Sequence, residues 1–157
     1  MHRILLVLAL LLPLAPQPTE AFVFRKIVYC SPIEGVIHWQ GKPLANVSVT
    51  RELYSGGFEG GKFSDIVTTT NDGKFRFEVV QERRMFRPDL LSANPVVSQS
   101  LKVAYQGTNY LIWYFRKPNY ELGSEARDET LQLECDLSNS EVGGESQIVR
   151  CKHNGVL

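Results

Sequence analysis

Histidine is scarce in this chain: of its three, only His38 and His153 lie beyond the opening residues. A catalytic nucleophile needs a base and an orienting group within hydrogen-bond reach. His38 sits mid-strand beside Trp39, and His153 falls in a tail expected to fray. The chain also lacks a Gly-x-Ser-x-Gly elbow, a His-Glu-x-x-His helix and a phosphate-cradling glycine loop. Glu34, Glu59, Asp65 and Asp89 are carboxylates that folding can bring together, but a small β domain seldom builds the deep cleft a glycosidase needs. These lacks argue against an enzyme and give no reason to expect a cofactor.

Charge of one sign is equally lacking. The 17 basic and 17 acidic residues cancel, and no basic tract is present to track phosphates. Nucleic acid is therefore not an expected partner, nor is electrostatic adhesion to acidic lipid. Metal sites of the thiolate and imidazole type need several closely spaced ligands. Only His153 lies near a cysteine, so no metal site is expected.

The apolar run at the start, Ile4 to Leu12, is short of the roughly 20 residues a membrane helix needs. Met1-His2-Arg3 precedes it, Pro13 and Pro16 end it, and Thr19-Glu20-Ala21 offers small residues at a cut. That layout is a secretory signal peptide over residues 1–21, with cleavage near Ala21 and a periplasmic or secreted product. Residues 22–157 are then the size of one domain.

Three cysteines, Cys30, Cys135 and Cys151, follow that segment. An oxidising compartment favours one disulfide and leaves one thiol over. Cys135–Cys151 closes a short loop and is the favoured pair; joining Cys30 to either would pin the first strand to the last. Sequence alone does not set the connectivity.

What the chain has is alternation. Val47, Val49 and Leu53 alternate with Ser48, Thr50 and Glu52, the period-2 signature of a half-buried strand. Gln40-Gly41-Lys42-Pro43 is a turn, and Asn71-Asp72-Gly73 is the strongest hairpin signal, because Asp-Gly accepts the dihedrals a tight hairpin demands. It joins Ile66–Thr70 to Lys74–Val79. Tyr54 to Phe63, with four glycines, reads as a loop, and residues 81–95 as a long connection. Further strands fit Ile27–Tyr29, a segment from Ile33, Val96–Tyr105, Tyr110–Phe115, Leu131–Cys135 and Ser146–Cys151. Eight or nine short strands with no amphipathic helix predict an all-β, two-sheet antiparallel sandwich of the immunoglobulin-like or transthyretin-like kind, with long loops.

Gly41, Pro43, Leu44, Val47, Val49, Thr69, Thr70, Asp72 and Gly73 to Phe77 together resemble the carboxypeptidase regulatory-like domain. That resemblance covers about a third of the chain and implies a transthyretin-like β-sandwich. Val97-Ser98-Gln99, Tyr105-Gln106-Gly107 and Leu133 to Ser138 make the whole layout similar to small exported proteobacterial proteins that carry this domain almost alone. The resemblance implies no catalytic residue. Pilin-type sandwiches crosslink a lysine to an asparagine through a nearby acid; Lys26 and Asn139 have the residue types, but no aromatic sheath surrounds either.

Two regions have the composition of a contact surface. Tyr54, Phe58 and Phe63 place aromatic rings on a glycine-rich loop, where they either form a contact surface or tuck back over a sandwich end, and Tyr114 lies in an aromatic stretch where Trp113 and Phe115 are expected in the core. Arg83, Arg84 and Arg87 add a small cationic cluster. The expected function is a non-catalytic exported module that binds another envelope or secreted protein, with immunity against a periplasm-acting toxin as one specific form. The alternative is a carbohydrate-binding or structural envelope module.

Overall fold

Alternating side chains become paired strands throughout residues 24–85 and 96–155, the part of the chain that the computed structural model describes. The predicted signal peptide, Arg87, Asp89 and Pro95 lie outside the described residues. Among the described residues, thirteen strands run in the order β1 (Arg25–Cys30), β2 (Ile33–Trp39), β3 (Lys42–Pro43), β4 (Ser48–Tyr54), β5 (Lys62–Thr68), β6 (Lys74–Phe77), β7 (Val80–Arg84), β8 (Val97–Tyr105), β9 (Thr108–Lys117), β10 (Leu131–Asp136), β11 (Ser140–Gly143), β12 (Ser146–Val149) and β13 (Lys152–His153).

One sheet has six strands in the order β11-β12-β9-β8-β4-β5. The other runs β13-β10-β2, with β3 and β6 both paired to β2. Between them lies the core: Ile33, Ile37, Phe75, Phe77, Leu131 and Leu133 from the smaller sheet meet Val49, Leu53, Leu101, Val103 and Ile112 from the larger. Each such side chain contributes roughly 1.5–3 kcal/mol when fully buried. The fold is the expected all-β sandwich.

Its sheets are mixed rather than purely antiparallel. β10 runs parallel to β2 from Leu131 beside Ile33 to Asp136 beside His38, and β12 meets β9 in parallel at Gln147–Tyr110 and Ile148–Leu111. The segment expected to be a connection from residue 81 instead begins as strand: β7 pairs with β1 in a separate two-stranded ribbon. Gln81-Glu82-Arg83-Arg84 hides that role because it has no apolar alternation; the buried side of the ribbon comes from β1, with Ile27, Val28, Tyr29 and Cys30.

Turn chemistry holds the strands in register. Gly73 adopts φ +76°, and a Cβ there would lie 2.6 Å from the Ile37 carbonyl oxygen. Beside it, Thr69 Oγ1 donates to the Leu44 carbonyl at 2.7 Å and accepts from the Val47 amide at 2.9 Å. The resemblance-bearing residues 41–49 and 69–77 thus form one hydrogen-bonded corner between the sheets.

Candidate functional site

Strand register places two exposed tyrosines on the outer face of the six-stranded sheet, with half-buried Ser98 and buried Ser100 on the strand between them. Because Val49, Arg51 and Leu53 point inward, Thr50, Glu52 and Tyr54 point out. Pairing then aligns three outward rows: Arg116, Ser98, Tyr54 and Lys62; Tyr114, Ser100, Glu52 and Ser64; Leu111, Lys102, Thr50 and Ile66. Tyr54 is 45% exposed and Tyr114 57%. They stand two strands apart, about 10 Å across the sheet, with Ser98 and Ser100 on the strand between them.

Glu52 fixes the charge at the centre of this face. Lys62 Nζ reaches one of its carboxylate oxygens at 2.5 Å and Lys102 Nζ the other at 2.7 Å. These two ammonium groups, Lys102 foremost, hold the Glu52 carboxyl below its ordinary range. Lys62 also sits 5.3 Å from the Tyr54 ring centroid, a cation–π contact that orients the ring. Next to Tyr114, a depression of 440 Å³ is lined by Leu111, Trp113, Ile148, Arg150 and His153. The indole Nε1 of Trp113 is buried there without a hydrogen-bond partner.

Other residues expected at the surface lie elsewhere. Phe58 and Phe63 turn back over the sandwich end: Tyr29 and Phe58 have ring centroids 4.3 Å apart, and Phe58 and Phe63 5.7 Å. Both rings pack on the core rather than joining Tyr54. Arg84 is half-buried, donating to the Gly57 carbonyl at 2.9 Å and pairing with Glu82 at 2.6 Å, whereas Arg83 is exposed on β7. These contacts pin the 55–61 loop to the β1–β7 ribbon. Trp113 is buried and Phe115 half-buried, while His38 is half-buried in β2 and His153 is exposed against Trp113.

Cys135 and Cys151 form a disulfide with Cα atoms 4.4 Å apart, and Cys30 is a free, buried thiol. Glu34 pairs with Arg76, and Asp65 pairs with Arg51. Lys26 and Asn139 are both exposed, on the ribbon and beyond β10 respectively. Among the described residues, no group of three or more His, Cys, Asp or Glu side chains is placed to hold a metal ion.

Sequence reasoning missed a buried polar cluster. Lys117 is 0% and Glu125 2% exposed at the side chain, with Nζ and Oε2 at 2.7 Å. The same carboxylate accepts from the Ser31 hydroxyl at 2.6 Å, the Ser31 amide at 3.0 Å and Gln99 Nε2 at 2.7 Å. Burial lowers the Lys117 ammonium from its ordinary range against the pull of Glu125. Burial opposes ionisation of Glu125 too, but Lys117, Ser31 and Gln99 keep its carboxyl below the usual value. The only sequence signal was the inward phase of Lys117 after Trp113 and Phe115. Nothing marked Glu125, which sits in a polar, turn-rich segment.

No curated protein matches this chain in sequence. Among solved structures, it is similar to a 3-chlorocatechol 1,2-dioxygenase from Rhodococcus opacus 1CP, at 16% identity and a TM-score of 0.28. That match covers 78% of this chain but 57% of the enzyme, so the chain spans little more than half of that structure's length. Residues 33–140, from the start of β2 to the start of β11, match the family described as a domain of unknown function, DUF6795. The chain belongs to the DUF6795 family.

Proposed function

We propose that this chain is a non-catalytic, exported binding module that meets another envelope protein through the outer face of its six-stranded sheet. The observation carrying this reading is the placement of Tyr54 and Tyr114, two exposed rings on one rigid face with Ser98 and Ser100 between them. Tyrosine supplies large, stiff contact area at little entropic cost, the feature favoured in protein-binding surfaces, and the half-buried Ser98 hydroxyl lies between the rings. The signal-peptide pattern at residues 1–21 supports export, and the disulfide suits an oxidising compartment. The corner built from residues 41–49 and 69–77 supports kinship with carboxypeptidase regulatory-like domains. Immunity against a periplasm-acting toxin is a specific form of this function, supported by size and compartment alone.

Chemistry at the carboxylates supports the non-enzymatic reading: Glu34, Asp65 and Glu125 are each committed to a cation. A second reading rests on the same face, because two tyrosines flanking a hydroxyl-lined strip also suit a saccharide.

Affinity capture from envelope extract tests both, using the oxidised protein and a Tyr54→Ala/Tyr114→Ala variant. The expected result is one stoichiometric protein partner, captured by the unaltered chain and lost from the double variant. Capture that survives both substitutions overturns the assignment of this face. Retention on glycan or peptidoglycan columns, lost in the double variant, selects the saccharide reading instead.

A further inference from the structure

Among the described residues, a dense buried polar cluster lies on the core side of β8 and β9, opposite the outer face, where these strands meet the 119–126 loop. Register pairs Lys117 with Val97 and Gln99 with Phe115. Lys117 and Gln99 are therefore diagonal neighbours on the core face of adjacent strands, about 7–8 Å apart along the backbone and within reach of long side chains. Glu125 spans them. Its Oε2 receives Lys117 Nζ at 2.7 Å and its Oε1 receives Gln99 Nε2 at 2.7 Å.

A structural ion pair explains Lys117 and Glu125, since a buried charge requires a partner. It does not by itself account for Gln99, whose Nε2 also donates to the Tyr29 carbonyl at 3.0 Å while its oxygen stands unmatched. That carboxamide is 2% exposed, pressed against the carboxylate that holds the amine, and its Oε1 has no donor. Of the three Lys117 ammonium protons, one goes to Glu125 and one to the Glu121 carbonyl, which leaves a third for an acceptor. The cluster is sealed from solvent, so no external substrate reaches it and the chemistry open to it is intramolecular.

The geometry points to an intramolecular isopeptide bond between Lys117 and Gln99, with Glu125 carrying protons from the attacking nitrogen to the leaving one. Lys117 passes a proton to Glu125 Oε2, and the neutral amine attacks Gln99 Cδ. The Nζ–Cδ bond forms, Glu125 protonates Nε2 through Oε1, and the Cδ–Nε2 bond breaks. One of the three original protons stays on the new amide and one reaches the leaving nitrogen. The third returns to Glu125 and departs with ammonia as ammonium. No oxidant, metal or cofactor enters the balance. Fixed orientation in a dry site supplies the driving advantage, and burial lowers the Lys117 ammonium from its ordinary range, which eases loss of its proton. The product ties β8 to β9 in the larger sheet, whereas the disulfide joins Cys135 on β10 to the segment after β12.

Intact mass spectrometry of the purified, oxidised protein tests this directly, without a variant that has to fold. The expected mass is lighter than the disulfide-bonded sequence by one ammonia, about 17 Da. Proteolysis should release one branched peptide joining the Gln99 and Lys117 segments. Glu125→Gln should restore the full mass if it folds. A wild-type mass equal to that of the unlinked sequence after prolonged incubation overturns the proposal. So does an ammonia loss mapped elsewhere, as by succinimide formation at Asn154-Gly155.

Discussion

Arg51 grips Asp65 with both arms of its guanidinium: Nε donates to Oδ1 at 2.9 Å and Nη2 to Oδ2 at 2.6 Å. The arginine lies in the sandwich interior, 2% exposed, with its Nη1 on the Glu78 carbonyl at 2.8 Å and its plane 4.6 Å from the Phe77 centroid. Asp65 faces inward from edge strand β5, so the pair fastens the sheet edge to the core and points a charge where edge-to-edge association would need an apolar residue.

Removing one partner of a buried pair leaves the other charge uncompensated. Asp65→Ala should therefore destabilise the domain by about 3 kcal/mol, the low end for buried pairs because Asp65 itself keeps some access to water. Arg51→Met with Asp65→Leu should recover most of that loss. Urea midpoints of the three proteins decide it, and an unchanged midpoint in Asp65→Ala contradicts the role given to the pair.

Loss of the disulfide should be felt globally. The bridge spans a sequence separation of 16, for which the chain-entropy account gives about 3 kcal/mol. Cys135→Ala/Cys151→Ala should melt well below the oxidised protein, and dithiothreitol should move the wild type to the same place. Identical melting with and without reductant would refute this.

Cys30 should be chemically silent. Burial pushes its thiol up to about 12, with Arg51 opposing. The thiolate is the reactive form, so a thiol reagent at pH 8 should leave the native protein unlabelled and modify one site after denaturation. Native labelling at Cys30 would show that the first strand opens.

The Asn71-Asp72-Gly73 hairpin has its own acid signature. Lys74 and Thr70 hold the Asp72 carboxyl down to about 2, from an ordinary value of 3.8. A folded value below the unfolded one contributes stability that is present above the unfolded value and fades as pH falls through the folded one. Carboxyl titration by NMR should find Asp72 near 2, returning toward the ordinary value in Lys74→Ala or in high salt. An unshifted Asp72 at low salt removes the turn's electrostatic contribution.

At the base of that hairpin, Gly73→Ala should cost more than about 1 kcal/mol, since φ is positive and the new methyl meets backbone at Ile37. Gly41→Ala, also at positive φ but in open space, should cost less. Thermal melts of the two variants provide the comparison.

The main strands were legible because their side chains alternate across a boundary between core and water. Val47 to Leu53 and Lys74 to Phe77 declare the two facing layers, and the turns at Gly41 and Gly73 declare their joins. What stayed illegible depends on partners distant in the chain. β7 carries charge on both faces and is a strand only through its pairing with β1, and the parallel placement of β10 beside β2 leaves no local pattern. The exposed status of Tyr114 followed from strand phase, whereas Tyr54, read as loop, is the outward last residue of β4; Phe58 folds inward because Tyr29, far upstream, offers it a ring, and Phe63 stacks on Phe58. Nothing local marks Glu125 as buried, and only strand phase hints at Lys117, since burial of a charged residue is set by what surrounds it.

Parallel pairing of β2 with β10 also governs the order of events in folding. Ile33 to His38 are among the early residues to be synthesised, but the neighbour that completes their ladder, Leu131 to Asp136, comes near the end. Until it arrives, β2 has one side bare and the apolar residues of both sheets have no closed interior. A nascent chain must therefore wait for almost its whole length, and loop-closure entropy makes such contacts slow to form. Chains truncated before Leu131 should persist as open, chaperone-dependent species, whereas those extending past Asp136 should close their core.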